Sequence, residues 1–182
     1  EYRQSRLNAF VAGTISGTRY QREDRYNYVS DIRSQAVNRQ GFDIKAGAVY
    51  NFDVRNHVYM NTGFYSKEPY YKFIFVNFSN AIARDIRNER IAAAEAGYGF
   101  SGVNTNIRLN AYSTYWMDKS LLSMENVQLI DSSMTRALVR GLNALHNGIE
   151  LEVHTKVHDR LNLGMAASLG SWKWQNDVIA EL

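Results

Sequence analysis

The sequence predicts an all-β chain: antiparallel transmembrane β-barrel strands with short periplasmic turns and long extracellular loops. Three observations carry this expectation. Seven stretches alternate apolar and polar residues with a period of two, which gives a strand one greasy and one wet face. The connections between them alternate short and long, so tight turns gather at one end and large loops at the other, as in outer-membrane barrels. No run approaches the roughly 18 apolar residues of a membrane helix, and mean hydropathy is −0.40. A barrel strand survives that test, because only every second residue meets lipid.

The strands are expected near 6–21, 41–52, 57–67, 91–100, 105–118, 137–154 and 160–174. In the first, Leu7, Ala9, Val11 and Ile15 oppose Asn8, Thr14, Ser16 and Thr18, with Phe10 and Ala12 as exceptions. The second is the clearest: Phe42, Ile44, Ala46, Ala48, Tyr50 and Phe52 oppose Asp43, Lys45, Gly47 and Asn51, and Val49 is its only misfit. Asp53–Asn56 is a polar turn, after which Val58, Met60 and Phe64 oppose Tyr59, Asn61 and Gly63. The fourth sets Ala92, Ala94, Ala96, Tyr98 and Phe100 against Glu95, Gly97 and Gly99.

Ser101–Asn104 supplies the next turn, with Gly and Asn where turns favour them. The return strand sets Ile107, Leu109, Ala111 and Tyr115 against Asn106, Arg108, Asn110, Thr114 and Trp116. In the sixth, Ile149, Leu151 and Val153 oppose Glu150, Glu152 and His154, and a tight connection follows at Thr155–Asp159. The last sets Leu161, Leu163, Met165, Ala167 and Leu169 against Asn162, Gly164, Ser168, Gly170 and Trp172. Residues 22–40, 68–90 and 119–136 form the long loops, lengths uncommon inside compact soluble domains. Charges in the central stretches keep to the polar face, and a Lys or Arg facing mid-bilayer lipid would cost about 2–4 kcal/mol.

Composition narrows the function. The chain has no cysteine, which excludes disulfides and thiolate metal sites. A net charge of +3 is too small an excess to point to nucleic acid. The 12 tyrosines suit a membrane interface, and equally a sheet. The single proline, Pro69, lies outside every expected strand. The first residues lack a signal segment and the last strand lacks a closing turn, so an interior piece of a longer polypeptide is expected.

The run Gly47–Phe52, its turn, and Asn61-Thr62-Gly63-Phe64-Tyr65-Ser66-Lys67-Glu68-Pro69-Tyr70 resemble barrels of TonB-dependent outer-membrane receptors. Asn88-Glu89, then Glu95–Phe100, Asn110–Lys119, Gly148–Glu152 and Gly170–Trp174 continue the likeness in order, over most of the chain. The resemblance implies a Gram-negative outer-membrane transporter. Its barrel, about 22 strands, is plugged by a separate domain, and the periplasmic protein TonB pulls on that plug to admit cargo. On this reading residues 1–182 are part of the barrel domain. Plug, energy-coupling box and an aromatic-ended C-terminal strand are not recognisable in this sequence. A surface lipoprotein is a further possible partner of such receptors. No cofactor, no enzymatic reaction and no nucleic acid enter the reading.

Candidate site residues fall into three groups. Glu95, Arg108, Glu150 and Glu152 are expected to line the lumen and face the plug. Glu150 and Glu152 sit roughly 7 Å apart along one face, a spacing open to acid–base or metal chemistry, but nothing completes a catalytic or metal set. His154 and His158 lack a third ligand, so no metal site is assigned. Tyr70, Tyr71, Phe73 and Phe75, with Phe78, follow Pro69 on the extracellular side and could stack on cargo or pack as a loop cluster. Arg22, Arg25, Arg33, Arg39, Arg84, Arg87 and Arg90 gather in the loops, where guanidinium matches the phosphates of outer-membrane lipid and lipopolysaccharide. The rival readings are an outer-membrane barrel enzyme, a passive porin, and a soluble β-sandwich used for binding or adhesion.

Overall fold

The computed structural model describes residues 1–75, 79–128, 130, 132 and 134–181. Along the chain run β1 (Tyr2–Gln4), β2 (Leu7–Tyr20), β3 (Val37–Asn51), β4 (Asn56–Lys67), β5 (Glu89–Ser101) and β6 (Thr105–Leu122). They are followed by β7 (Val127–Gln128), β8 (Met134–Thr135), β9 (Leu138–His158), β10 (Leu161–Trp174) and β11 (Ala180–Glu181). A single 3-10 turn spans Tyr71–Phe73, and no α-helix occurs among the described residues. The fold is all-β. One antiparallel sheet runs β1-β2-β3-β4-β5-β6-β9-β10, with β11 also pairing β9, and it does not close on itself. β7 and β8 form a separate two-stranded ribbon inside the third long loop.

Several boundaries differ from the expected ones, for a common reason. β3 begins at Val37 and β6 runs on to Leu122, because hydrogen-bonded pairing with β2 and with β9 continues where the hydrophobic alternation has faded. β9 continues through Thr155–His158, which was expected to be a turn, so the β9–β10 connection is only Asp159–Arg160. His154 and His158 therefore both lie on one strand. The long loops shrink to 21–36, 68–88 and 123–137 and stay at one end of the sheet.

The tight turns have local chemical causes. Asp53 accepts hydrogen bonds from the amides of Arg55 (2.7 Å) and Asn56 (2.9 Å), an Asx turn that folds β3 onto β4. Those bonds hold its carboxyl below the usual aspartate range, the Arg55 amide first among them. At the next turn the Gly102 amide donates to the Thr105 carbonyl at 2.7 Å.

Cross-strand partners place the two faces. One row reads Tyr50, Val58, Tyr98, Leu109, Leu151 and Ala167, and another Ala48, Met60, Ala96, Ala111, Ile149 and Leu169. This face is apolar across seven consecutive strands, interrupted mainly along one row by Thr62, Ser113, Asn147 and Ser171. Thr62 turns its hydroxyl back to the Ala93 carbonyl at 3.1 Å. Phe42, Ile44, Leu109 and Leu163 on this face are 48, 53, 42 and 52% exposed, so they do not bury one another. No second sheet covers either face among the described residues. The buried apolar side chains lie elsewhere: Phe73, Ile74, Phe75 and Ala83 in the second long loop, Ala137 at the end of the third, and Ala144 on β9.

The candidate ligand-facing surface and its loop rim

The opposite face of the same strands is polar, and its side chains lie across the sheet. Tyr59 sits directly opposite Gly97, and Tyr112 opposite Gly148. A Cβ on either glycine would collide with the ring that covers it, so only glycine lets the ring lie flat. Phe10, an apolar exception in the pattern of β2, rests in the same way over Gly47, its partner on β3. From its glycine seat Tyr59 donates to Asn110 Oδ1 at 3.1 Å.

The four residues expected to line a lumen share this face. Arg108 and Glu152 are direct cross-strand partners, joined at 3.1 Å, and His154 Nε2 contacts the other Glu152 oxygen at 2.8 Å. Glu95 accepts from Asn61 Nδ2 at 2.7 Å. Glu150 stands opposite Asn110 and, with Lys45, Asn61, Glu95 and Tyr112, lines an open groove of about 650 Å³. The arrangement offers carboxylates, amides, an ammonium and phenol rings to a polar partner. Sequence reasoning placed the charges but missed Tyr59, Asn61 and Tyr112. The signal that finds them is a tyrosine or asparagine paired across the ladder with a glycine. Among the described residues no three His, Cys, Asp or Glu side chains gather into a metal-binding set.

The loops form a cross-linked rim. Asp24 is buried, accepts the amides of Tyr26 (3.0 Å) and Asn27 (2.9 Å), and pairs with Arg22 at 2.8 Å. The Asn27 hydrogen bonds, with help from Tyr26 and Arg22, hold the Asp24 carboxyl well below the ordinary range. The second loop docks on the first: Tyr28 Oη accepts the Asn80 amide at 3.1 Å, and Tyr20 donates to the Pro69 carbonyl at 2.8 Å. Within that second loop Phe73 and Phe75 are buried, whereas Tyr70 and Tyr71 are 55 and 45% exposed. Lys67 donates to the Tyr70 hydroxyl at 2.8 Å and thereby lowers its pKa. Phe78 lies outside the described residues.

The loop arginines are largely engaged within the chain. Arg25 and Arg33 both pair with Glu23, at 2.5 and 3.0 Å, while Arg87 and Arg90 both pair with Asp118. No family model, curated protein or solved structure matches the chain.

Proposed function

We propose that the chain is a segment of an outer-membrane β-barrel of the TonB-dependent transporter type. It would bind a scarce nutrient at the loop rim and help import it by energy-coupled gating. The observation that carries this reading is the zoning of the exposed apolar face. Near the tight turns it bears Tyr50, Phe52, Tyr98 and Phe100; near the loops it bears Phe42, Phe64 and Tyr115. Between them lie Ala46, Ala48, Met60, Ala94, Ala96 and Ala111, with the small polar Thr62 and Ser113 in the same band. An apolar band between two aromatic girdles is the outer surface of a membrane barrel. Phe42 and Tyr50 are eight residues apart, roughly 26 Å along a strand, which a tilted strand fits within a hydrocarbon core about 30 Å thick.

An exposed apolar face of this size needs a cover, and a single-layer sheet offers it to acyl chains. The unpaired outer edge of β10 and that of β2 beyond Ala9 call for further strands. Strands β6 and β9, of 18 and 21 residues, exceed the 9–11 residues that cross a bilayer. Their ends therefore carry the loops outward as a rim. The polar face is then the hydrated lumen, with Glu95, Arg108, Glu150 and Glu152 facing a plug domain, and Tyr70 and Tyr71 meet incoming cargo.

The test is fractionation and uptake with the full-length protein. It is expected to sediment with outer membranes, to need detergent for extraction, and to lose cargo uptake when the proton gradient is collapsed. Uptake insensitive to the gradient would leave a passive porin, and a protein soluble without detergent would end the reading. Tyr70→Ala with Tyr71→Ala is expected to weaken cargo binding; unchanged binding would remove these two residues from the site.

A further inference from the structure

Strand β5 runs down the apolar face as Arg90, Ala92, Ala94 and Ala96 before Tyr98. Its ladder neighbours are bulky at the loop end and smaller further along: Phe64 and Tyr115 flank Ala92, Thr62 and Ser113 flank Ala94, and Met60 and Ala111 flank Ala96. Ala94 and Ala96 are exposed, and Ala92 and Ala94 floor an open furrow of about 680 Å³ that Ile44, Ala46, Phe64 and Tyr115 also line. From Arg90 to Ala96 it extends roughly 20 Å along the strand, close to one leaflet deep once the strand is tilted.

Past the loop end of this alanine run lies a polar recess of about 750 Å³, lined by Arg39, Gln40, Asn88, Arg87, Arg90 and Asp118. Three arginines and one carboxylate line it. A bulge between Trp116 and Lys119 sets Asp118 at φ 56°, and its carboxylate takes Arg87 (3.5 Å) and Arg90 Nε (3.1 Å). One carboxylate cannot neutralise both. Arg39 has no carboxylate partner among the described residues, and its Nε is shielded from water without an acceptor. Asn88 bridges the opening, donating to the Gln40 carbonyl at 2.7 Å and to Ser66 Oγ at 3.1 Å. A cationic recess beyond a mainly apolar furrow has the polarity of one amphiphile.

We propose that this is a binding site for a single phosphorylated lipid, its phosphate monoester held by Arg87 and Arg90 and one acyl chain lying along Ala92, Ala94 and Ala96. The inference rests on the membrane-barrel reading above. Two guanidiniums forming charge-assisted bonds favour a phosphate monoester, with its extra charge and free oxygens, over the phosphodiester of a zwitterionic headgroup.

The experiment measures lipid retained by full-length protein after reconstitution in phosphatidylethanolamine vesicles with a minor fraction of phosphatidic acid, followed by detergent extraction and native mass spectrometry. Wild-type protein is expected to retain phosphatidic acid selectively. Arg87→Gln with Arg90→Gln should lower that retention at least about tenfold, leaving phosphatidylethanolamine retention unchanged, and Ala94→Leu should lower it by filling the furrow. Heat-dependent mobility in SDS gels checks that each variant is folded. Equal retention by wild type and the double glutamine variant would overturn the proposal. So would displacement by inorganic phosphate together with no effect of Ala94→Leu, which would indicate a free-phosphate site instead. A protein that takes up no lipid would overturn both this site and the barrel reading; one that inserts but lacks selectivity overturns the site alone.

Discussion

Asp24 and the Arg108–Glu152 pair show how differently two ion pairs act in this chain. Asp24 is enclosed and holds the first loop in shape through backbone amides as well as Arg22. Its pKa is lowered in the folded chain, so it contributes stability above the ordinary aspartate range, and that contribution is lost as pH falls through its folded value. Hydrogen exchange should report protection of residues 24–34 near neutral pH and its loss in Asp24→Asn at the same pH; an unaltered exchange pattern in the variant would contradict the anchor. Arg108 is exposed, its side chain 68% accessible. Arg108→Gln should therefore change unfolding free energy by no more than about 1 kcal/mol, so a large loss of uptake in that variant would reflect contact with a partner. A much larger stability loss in a denaturant titration would mean the pair is structural.

Strands were legible where both faces carry signal and illegible where one fades. The alternation from Phe42 to Phe52 located β3 because its even residues are apolar without exception. Its first residues, Val37–Gln40, carry no such pattern, and pairing with β2 alone makes them strand. Glycines were harder to interpret. Gly97 and Gly148 look like weak points until the register shows Tyr59 and Tyr112 across from them. Gly97→Ala should displace the Tyr59 ring and its hydrogen bond to Asn110, lowering stability by about 1 kcal/mol. The effect should be largely absent when Gly97→Ala is made in a Tyr59→Ala background, which removes the ring. Equal losses in both backgrounds would show that the covering ring is not the cause.

On the scale of the whole molecule, every major feature follows from one sheet with two unlike, uncovered faces. The sequence carried the sign of each face through period-two alternation, and the loop asymmetry through turn residues such as Asp53 and Gly102. It could not carry the rim, because pairs such as Asn80 with Tyr28 and Arg90 with Asp118 join segments far apart in the chain. If the apolar face meets lipid, Ala96→Arg at its centre should cost about 2–4 kcal/mol in the membrane, whereas Ser168→Arg on the polar face should cost little. Equal costs in a denaturant titration from vesicles would mean that the two faces share one environment. The most direct measurement is a nitroxide scan along β5 of the full-length protein in lipid vesicles. Labels at positions 92, 94 and 96 should be relaxed by oxygen dissolved in lipid, and those at 93 and 95 by a water-soluble nickel chelate. Loss of that alternation, with both sets reached equally by the chelate or both shielded, would contradict the account.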